Sequence, residues 1–164
     1  MGRAAGKGGL LTHAILMLIG EYIHSFDDKN RVSLPAKFRS EIGKKIVITR
    51  GLDNCLFLYS AKAWQALSAR LSGGGQELSF VAPASRGFAR YLYGGASDVE
   101  VDGAGRVLIP EFLRSFAKIE GSAVFVGVHD HIEIWSDMTW AAYKTRLEGQ
   151  GEALAEKLGE AGFI

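Results

Sequence analysis

The chain of 164 residues has a single cysteine, Cys55, so it can form no internal disulfide and no cysteine-rich zinc site, a usage that suits a reducing compartment. It has almost no net charge. Its 19 Lys+Arg stand against 18 Asp+Glu, a formal +1, which excludes the uniformly basic composition of a histone-like protein. It lacks an apolar run of the roughly 20 residues that cross a bilayer, the run from Leu10 to Ile19 being too short. Arg3 and Lys7 ahead of that run imitate a signal peptide, but no small-x-small cleavage site follows, and Gly6 stands where myristoylation requires Ser or Thr. Neither a Ser or Cys nucleophile motif nor a zinc-protease helix motif is present. With 48% apolar and 23% charged residues, the chain is expected to be a soluble globular protein, not an enzyme, with no cofactor. The simplest account of the first residues is that Met17 is the natural start and 1–16 an upstream extension.

Charge that nearly cancels overall does not cancel locally. Residues 96–164 carry twelve acids against six bases, whereas 21–95 carry eleven bases against six acids. Between residues 29 and 50, Lys29, Arg31, Lys37, Arg39, Lys44, Lys45 and Arg50 face Glu41 alone. Such a segment is a candidate footprint for a polyanion.

Internal self-similarity says most about organisation. The stretch from Phe26 to Arg39 recurs from Val101 to Arg114, with Asp27/Asp102, Arg31/Arg106, Val32/Val107, Pro35/Pro110 and Arg39/Arg114 in register. After one inserted residue, Ile48 to Gly51, Leu56 to Tyr59 and Trp64 are echoed by Val124 to Gly127, Ile132 to Trp135 and Trp140. Each copy reads as a hairpin-like strand, turn and strand, then a short helix opened by proline (Pro35 to Ile42, Pro110 to about Lys118). Two more strands follow (Ile46 to Arg50 with Cys55 to Tyr59, Ala123 to Val128 with His131 to Trp135). A helix closes each copy, Ala61 to Leu71 and Asp137 to Leu147, the second with Asp137 as N-cap. Between the copies, Gly73-Gly74-Gly75 reads as a flexible break and Pro83 to Tyr93 as a helix stopped by Gly94-Gly95. The tail from Gly149 onward is expected to be mobile or to touch another subunit.

The repeated Asp-x-x-x-Arg carries the functional reading. An Asp opening a turn accepts backbone N–H groups, and Asn30 and Gly105 tolerate the left-handed conformation such a turn needs. Asp27, Asp102, Gly105 and Arg106 are therefore expected to build the turns. The following Arg is presented from a two-stranded ribbon, a shape that fits a DNA major groove, where Arg clamps guanine or phosphate. His129-Asp130-His131 reads as a tight turn, not a metal site, and Gly103-Ala104-Gly105 lacks the third glycine of a dinucleotide loop. Trp64, Trp135 and Trp140 read as core.

Gly20-Glu21-Tyr22, the Asp27-to-Arg39 block, Thr49 to Asp53, Cys55 to Tyr59 and the block from Asp102 to Pro110 resemble the MraZ family of bacterial transcriptional regulators of the division and cell-wall gene cluster, over about Met17 to Leu147. The resemblance implies an α+β fold of two tandem swapped-hairpin AbrB-like β-barrel modules with short helices, related by a pseudo-twofold repeat. The modules are expected at 17–72 and 96–148, with a helical linker at 73–95 and a tail at 149–164. The resemblance also implies assembly into a homo-oligomeric ring, binding to direct repeats of double-stranded DNA in its own promoter, repression, and a cytoplasmic, nucleoid-associated location away from membranes. Arg31 is the implied DNA contact, with Lys29, Asn30, Lys37 and Arg39 around it. Asn30 departs from the family's usual glycine. Two other readings stand beside it: a protein-binding assembly or antitoxin-like module on the same fold, and, more remotely, an RNA chaperone.

Overall fold

The computed structural model describes residues 17–73 and 81–164, so the expectations about 1–16 and about Gly74-Gly75 lie outside the described residues. In chain order the first copy contributes β1 (Leu18–Ser25), β2 (Arg31–Ser33), α1 (Ala36–Ile42), β3 (Lys45–Arg50), β4 (Leu56–Ser60) and α2 (Ala61–Gly73). A helix α3 (Pro83–Gly94) follows. The second copy repeats the series as β5 (Ser97–Glu100), β6 (Arg106–Leu108), α4 (Glu111–Phe116), β7 (Ser122–His129), β8 (Ile132–Ser136) and α5 (Asp137–Glu160).

The strands of the two copies interleave. One antiparallel six-stranded sheet runs β1-β7-β8-β4-β3-β5, and a second sheet consists of β2 and β6 alone. Exchanging one copy for the other leaves this order unchanged, so a pseudo-twofold axis passes between β8 and β4 and through the β2-β6 ribbon. The first strand of each copy lies against the third strand of the other, β1 on β7 and β5 on β3. The expected hairpin within each copy is thus reduced to a single bridge between Phe26 and Val32 in the first, and β2 takes its ladder from β6. The physical reason is length: a three-residue strand closes few hydrogen bonds with its sequence neighbour, whereas pairing across the axis buries Val32 and Val107 together.

The core lies between sheet and ribbon. Val32, Leu34, Phe38 and Ile48 from one copy and Val107, Ile109, Leu113 and Phe125 from the other form one apolar cluster, each with at most 1% of its surface exposed. The prolines before α1 and α4 sit at extended ψ with φ −52°, which delivers Phe38 and Leu113 inward. On the other sheet face Trp135 stacks on Tyr143 of α5 beside Cys55 and Val124. Trp140 packs against the same cluster as Trp135, whereas Trp64 is half-buried and touches the Tyr59 and Tyr93 rings.

Three local readings differ from the structure. The strand registers pair Ile46 with Ser60 and Ala123 with Ser136, so the echo of Ile48 is Phe125, one residue beyond Val124. The α5 cap is Ser136, whose Oγ accepts the Thr139 N–H at 3.0 Å, while Asp137 lies in the first turn with Oδ2 accepting from Ser122 Oγ. And α5 runs past Leu147 through Gly149 and Gly151 to Glu160. Two glycines cost a helix about 1 kcal/mol each, but the strong formers Glu152 to Leu158 sustain it until Gly162, at φ 80°, ends it.

Cys55 is fully enclosed, and burial first, then the Glu133 carboxylate 3.6 Å from its Sγ, pushes its thiol well above the ordinary range. A thiolate-specific reagent at pH 8 is expected to leave the native protein unmodified and to react stoichiometrically once denaturant unfolds it; mass spectrometry checks this.

Candidate nucleic-acid interface

The two Asp-x-x-x-Arg turns are built alike, atom for atom. In the first, Asp27 Oδ1 accepts the Lys29 and Arg31 N–H groups at 2.9 and 2.8 Å, and Oδ2 accepts Arg31 Nε at 2.8 Å. Asn30 closes the turn at φ 60°, its N–H donating to the Asp27 carbonyl. In the second, Asp102 takes the Ala104 and Arg106 N–H groups and Arg106 Nε, all at 2.9 Å, with Gly105 at φ 79°. Asn30 therefore does the work of Gly105, as the sequence suggested. Arg106 grips Asp102 alone; neither Glu100 nor Glu111 is its ion-pair partner.

Both carboxylates lie below their ordinary value, chiefly because the backbone amide of the turn's own Arg donates to the charged form; burial opposes this, and the guanidinium and the Lys29 or Ala104 amide add to it. The sign follows directly. A carboxyl whose folded pKa is depressed contributes stability that is complete above about pH 4, the ordinary value, and is lost as pH falls through the lower folded value. Asp102→Asn is thus expected to lower the melting temperature at pH 7 and to show a smaller further loss between pH 4 and pH 2 than the parent, as calorimetry would read.

The ribbon fixes where the arginines point. Val32 pairs with Val107 and both face the core, so Arg31, Ser33, Arg106 and Leu108, their neighbours in the alternation, share the outward face. Arg31 lies opposite Leu108 and Arg106 opposite Ser33. The Nη groups of Arg31 have no hydrogen-bond or ion-pair partner among the described residues.

The other expected contacts divide by role. Lys29 at the turn tip and Lys37 on the outer side of α1 are exposed. Arg39 donates Nε to the Leu34 carbonyl at 2.9 Å, as Arg114 does to Ile109 at 3.2 Å. Its guanidinium also lies over Gly105, where a Cβ would collide with it. Arg39 thereby ties the two copies together, a role signalled by its recurrence as Arg114. Arg50 is likewise engaged: its Nε donates to the Tyr91 carbonyl at 3.1 Å and its guanidinium covers the Tyr91 ring, so it holds the C-terminal end of α3. Thr49 Oγ1 donates to the Leu92 carbonyl beside it. Sequence reasoning counted Arg50 with the polyanion footprint and missed this anchor, whose partners lie some forty residues away.

Among the described residues no three His, Cys, Asp or Glu side chains converge, and His129-Asp130-His131 is the β7–β8 turn, with Asp130 Oδ1 at 2.7 Å from His131 Nδ1. No helix among them is long and apolar enough to cross a membrane.

The class of protein defined here is a duplicated, interleaved α+β unit that presents paired arginine turns on the outward face of one ribbon. A family model described as "MraZ protein, putative antitoxin-like" matches residues 17–91 and again 92–158, one match per copy. Among curated proteins, the chain is 44% identical over 144 residues to the "Transcriptional regulator MraZ" of Thermoanaerobacter sp. (strain X514), covering 88% of this chain and 98% of the relative. It is 44% identical over 142 residues to that of Moorella thermoacetica, covering 87% and 96%, and 43% identical over 147 residues to that of Caldicellulosiruptor saccharolyticus, covering 90% and 100%. The chain belongs to the MraZ family. Transcription regulation, not catalysis, is the class to which its relatives' names assign it.

Proposed function

We propose that the protein regulates transcription by binding double-stranded DNA through the outer face of the β2-β6 ribbon, with Arg31 reading or clamping the duplex and Lys29, Asn30 and Lys37 around it. The observation that carries this reading is the contrast between the copies. Their turns are superimposable in hydrogen bonding, yet Lys29 is matched by Ala104 and Lys37 by Phe112. The turns keep their geometry without those lysines, so the lysines serve something outside the turn. Phosphate contact is the chemistry that exposed lysines beside a bidentate-capable arginine supply.

Finer features follow from the same reading. The exchange of first strands between copies supports a swapped-hairpin, AbrB-like barrel, with 17–72 and 96–148 as its two modules. One ribbon offers few phosphate contacts, so useful affinity comes from several subunits in a ring on direct repeats ahead of the protein's own gene cluster. Repression follows where those repeats overlap a promoter, with the protein cytoplasmic and associated with the nucleoid.

Fluorescence anisotropy with duplexes taken from the upstream region tests this. An array of repeats is expected to bind far more tightly than a single repeat at equal salt. Lys29→Ala with Lys37→Ala is expected to weaken all duplexes together and to reduce the salt slope by about one per lysine lost. Equal affinity for one repeat and for several, or an unchanged salt slope, sinks the reading.

A further inference from the structure

Where α1 ends, β1 begins and α2 takes its first turn, the chain forms an open, concave cavity of about 640 Å³. Leu18, Ile42 and Ala63 give it apolar walls, and the exposed Lys44, Lys45 and Lys62 line it as well. None of these lysines has an ion-pair partner among the described residues. Glu41 lines the same cavity, and its Oε2 is enclosed without a hydrogen-bond partner. Asp130, also in the wall, is already engaged by His131 and Arg70.

The second copy serves as an internal control. Phe38 and Leu113 are matching buried positions, so Glu41 corresponds to Phe116, which packs against the core. The Lys44 carbonyl accepts from Val101 as the Gly121 carbonyl accepts from Phe26, so Lys44 and Lys45 correspond to Gly121 and Ser122. Ser60 caps α2 through the Ala63 N–H as Ser136 caps α5 through that of Thr139, so Lys62 corresponds to Met138. The same helix end, strand start and helix start are thus built a second time without any of the four charges. The fold does not require them. Three ammonium groups around one cavity repel one another, and an enclosed carboxylate oxygen without a donor is unfavourable. Local features that disagree with the fold's own needs mark a site.

We propose that this cavity binds a small phosphorylated molecule with an apolar or aromatic body and a hydrogen-bond donor. Lys44, Lys45 and Lys62 hold the phosphate, and Glu41 turns its carboxyl, whose terminal torsion is soft, onto the donor. The volume falls in the range of small-molecule pockets, roughly 300–1,000 Å³, and a concave apolar wall suits such a body better than it suits the backbone of a duplex. The ligand would sit at the end of the helix that carries Lys37, yet the binding itself does not depend on how that lysine is used.

Calorimetric titration of the full chain without DNA, using adenosine monophosphate and inorganic phosphate as probes, tests the proposal. Adenosine monophosphate is expected to bind saturably at one site per chain, with inorganic phosphate competing more weakly. Lys44→Ala combined with Lys62→Ala should weaken both by about tenfold or more, while Glu41→Ala should weaken the nucleotide and spare phosphate. Lys118→Ala, on the other copy, should change neither. The proposal fails if neither probe saturates at millimolar concentration, or if the lysine substitutions leave nucleotide binding unchanged. It fails equally if those substitutions cost DNA affinity while no probe binds, because the lysines then belong to the duplex interface.

Discussion

Gly127→Ala is expected to be among the most damaging single-methyl changes in the protein. Gly127 faces Gly20 in the β1-β7 ladder, and a Cβ there would stand 2.5 Å from the Ile19 nitrogen and the Leu18 carbonyl carbon. These are backbone atoms of the paired strand, so no rotamer change relieves the clash. β1 has to separate from β7 locally, and the antiparallel ladder between them, Leu18–Ser25, is the main hold of the first copy's opening strand on the other copy. A loss on the order of 3–5 kcal/mol follows, a melting temperature lower by roughly 10 °C for a chain of this size. Gly149→Ala is the matched control. Nothing lies within 4 Å of a Cβ at that helical position, so the same added methyl should stabilise, by up to about 1 kcal/mol. Differential scanning calorimetry of both variants reads the contrast, and equal effects of one sign would refute the argument.

Arg31→Ala is expected to abolish specific DNA binding, a loss of about a hundredfold or more, because a bidentate contact is worth roughly 1–3 kcal/mol of discrimination in each subunit of a multivalent complex. Arg106→Ala should cost less. Both arginines make the same bonds to their aspartates and share the outward face of the ribbon, so both variants should lose the same modest stability. What differs is the company: Arg31 stands with Lys29 and Lys37, Arg106 with Ala104, Glu111 and Phe112. Anisotropy and oligomer mass measured on both variants decide. An Arg106→Ala variant that destroys binding with an unchanged oligomer, beside an Arg31→Ala variant that binds normally, would reverse the assignment.

The candidate interface was legible in the chain to different depths. The turns were readable because every partner of Asp27 lies within four residues of it, and left-handed Asn30 and Gly105 are properties of residue type. The charge contrast between copies was readable because duplication aligns them. The outward direction of Arg106 was not: only the pairing of β2 with β6 puts it on the face of Arg31, with Asp102 as its ion-pair partner. Arg39 and Arg50 were counted as footprint charges, although each is spent on backbone carbonyls. Recurrence of Arg39 as Arg114 was the available signal for the first; nothing local marked the second.

By itself the sequence determined the repeat, the two turns, the proline-led helices and the alternation that chooses which side of each strand is buried. All of these rest on interactions spanning a turn or two, or on residue type. Tertiary structure alone decided that β1 pairs with β7 and β5 with β3, that both arginine turns open on one face, that α3 is clamped to β3, and that a lysine-lined cavity forms between α1 and α2. The reason is that alternation specifies a face and never a partner. A three-residue strand such as Arg31–Ser33 pairs wherever its buried valine finds the best-matched neighbour. In a duplicated chain that neighbour is its own repeat across the axis, buried with it in one shared core.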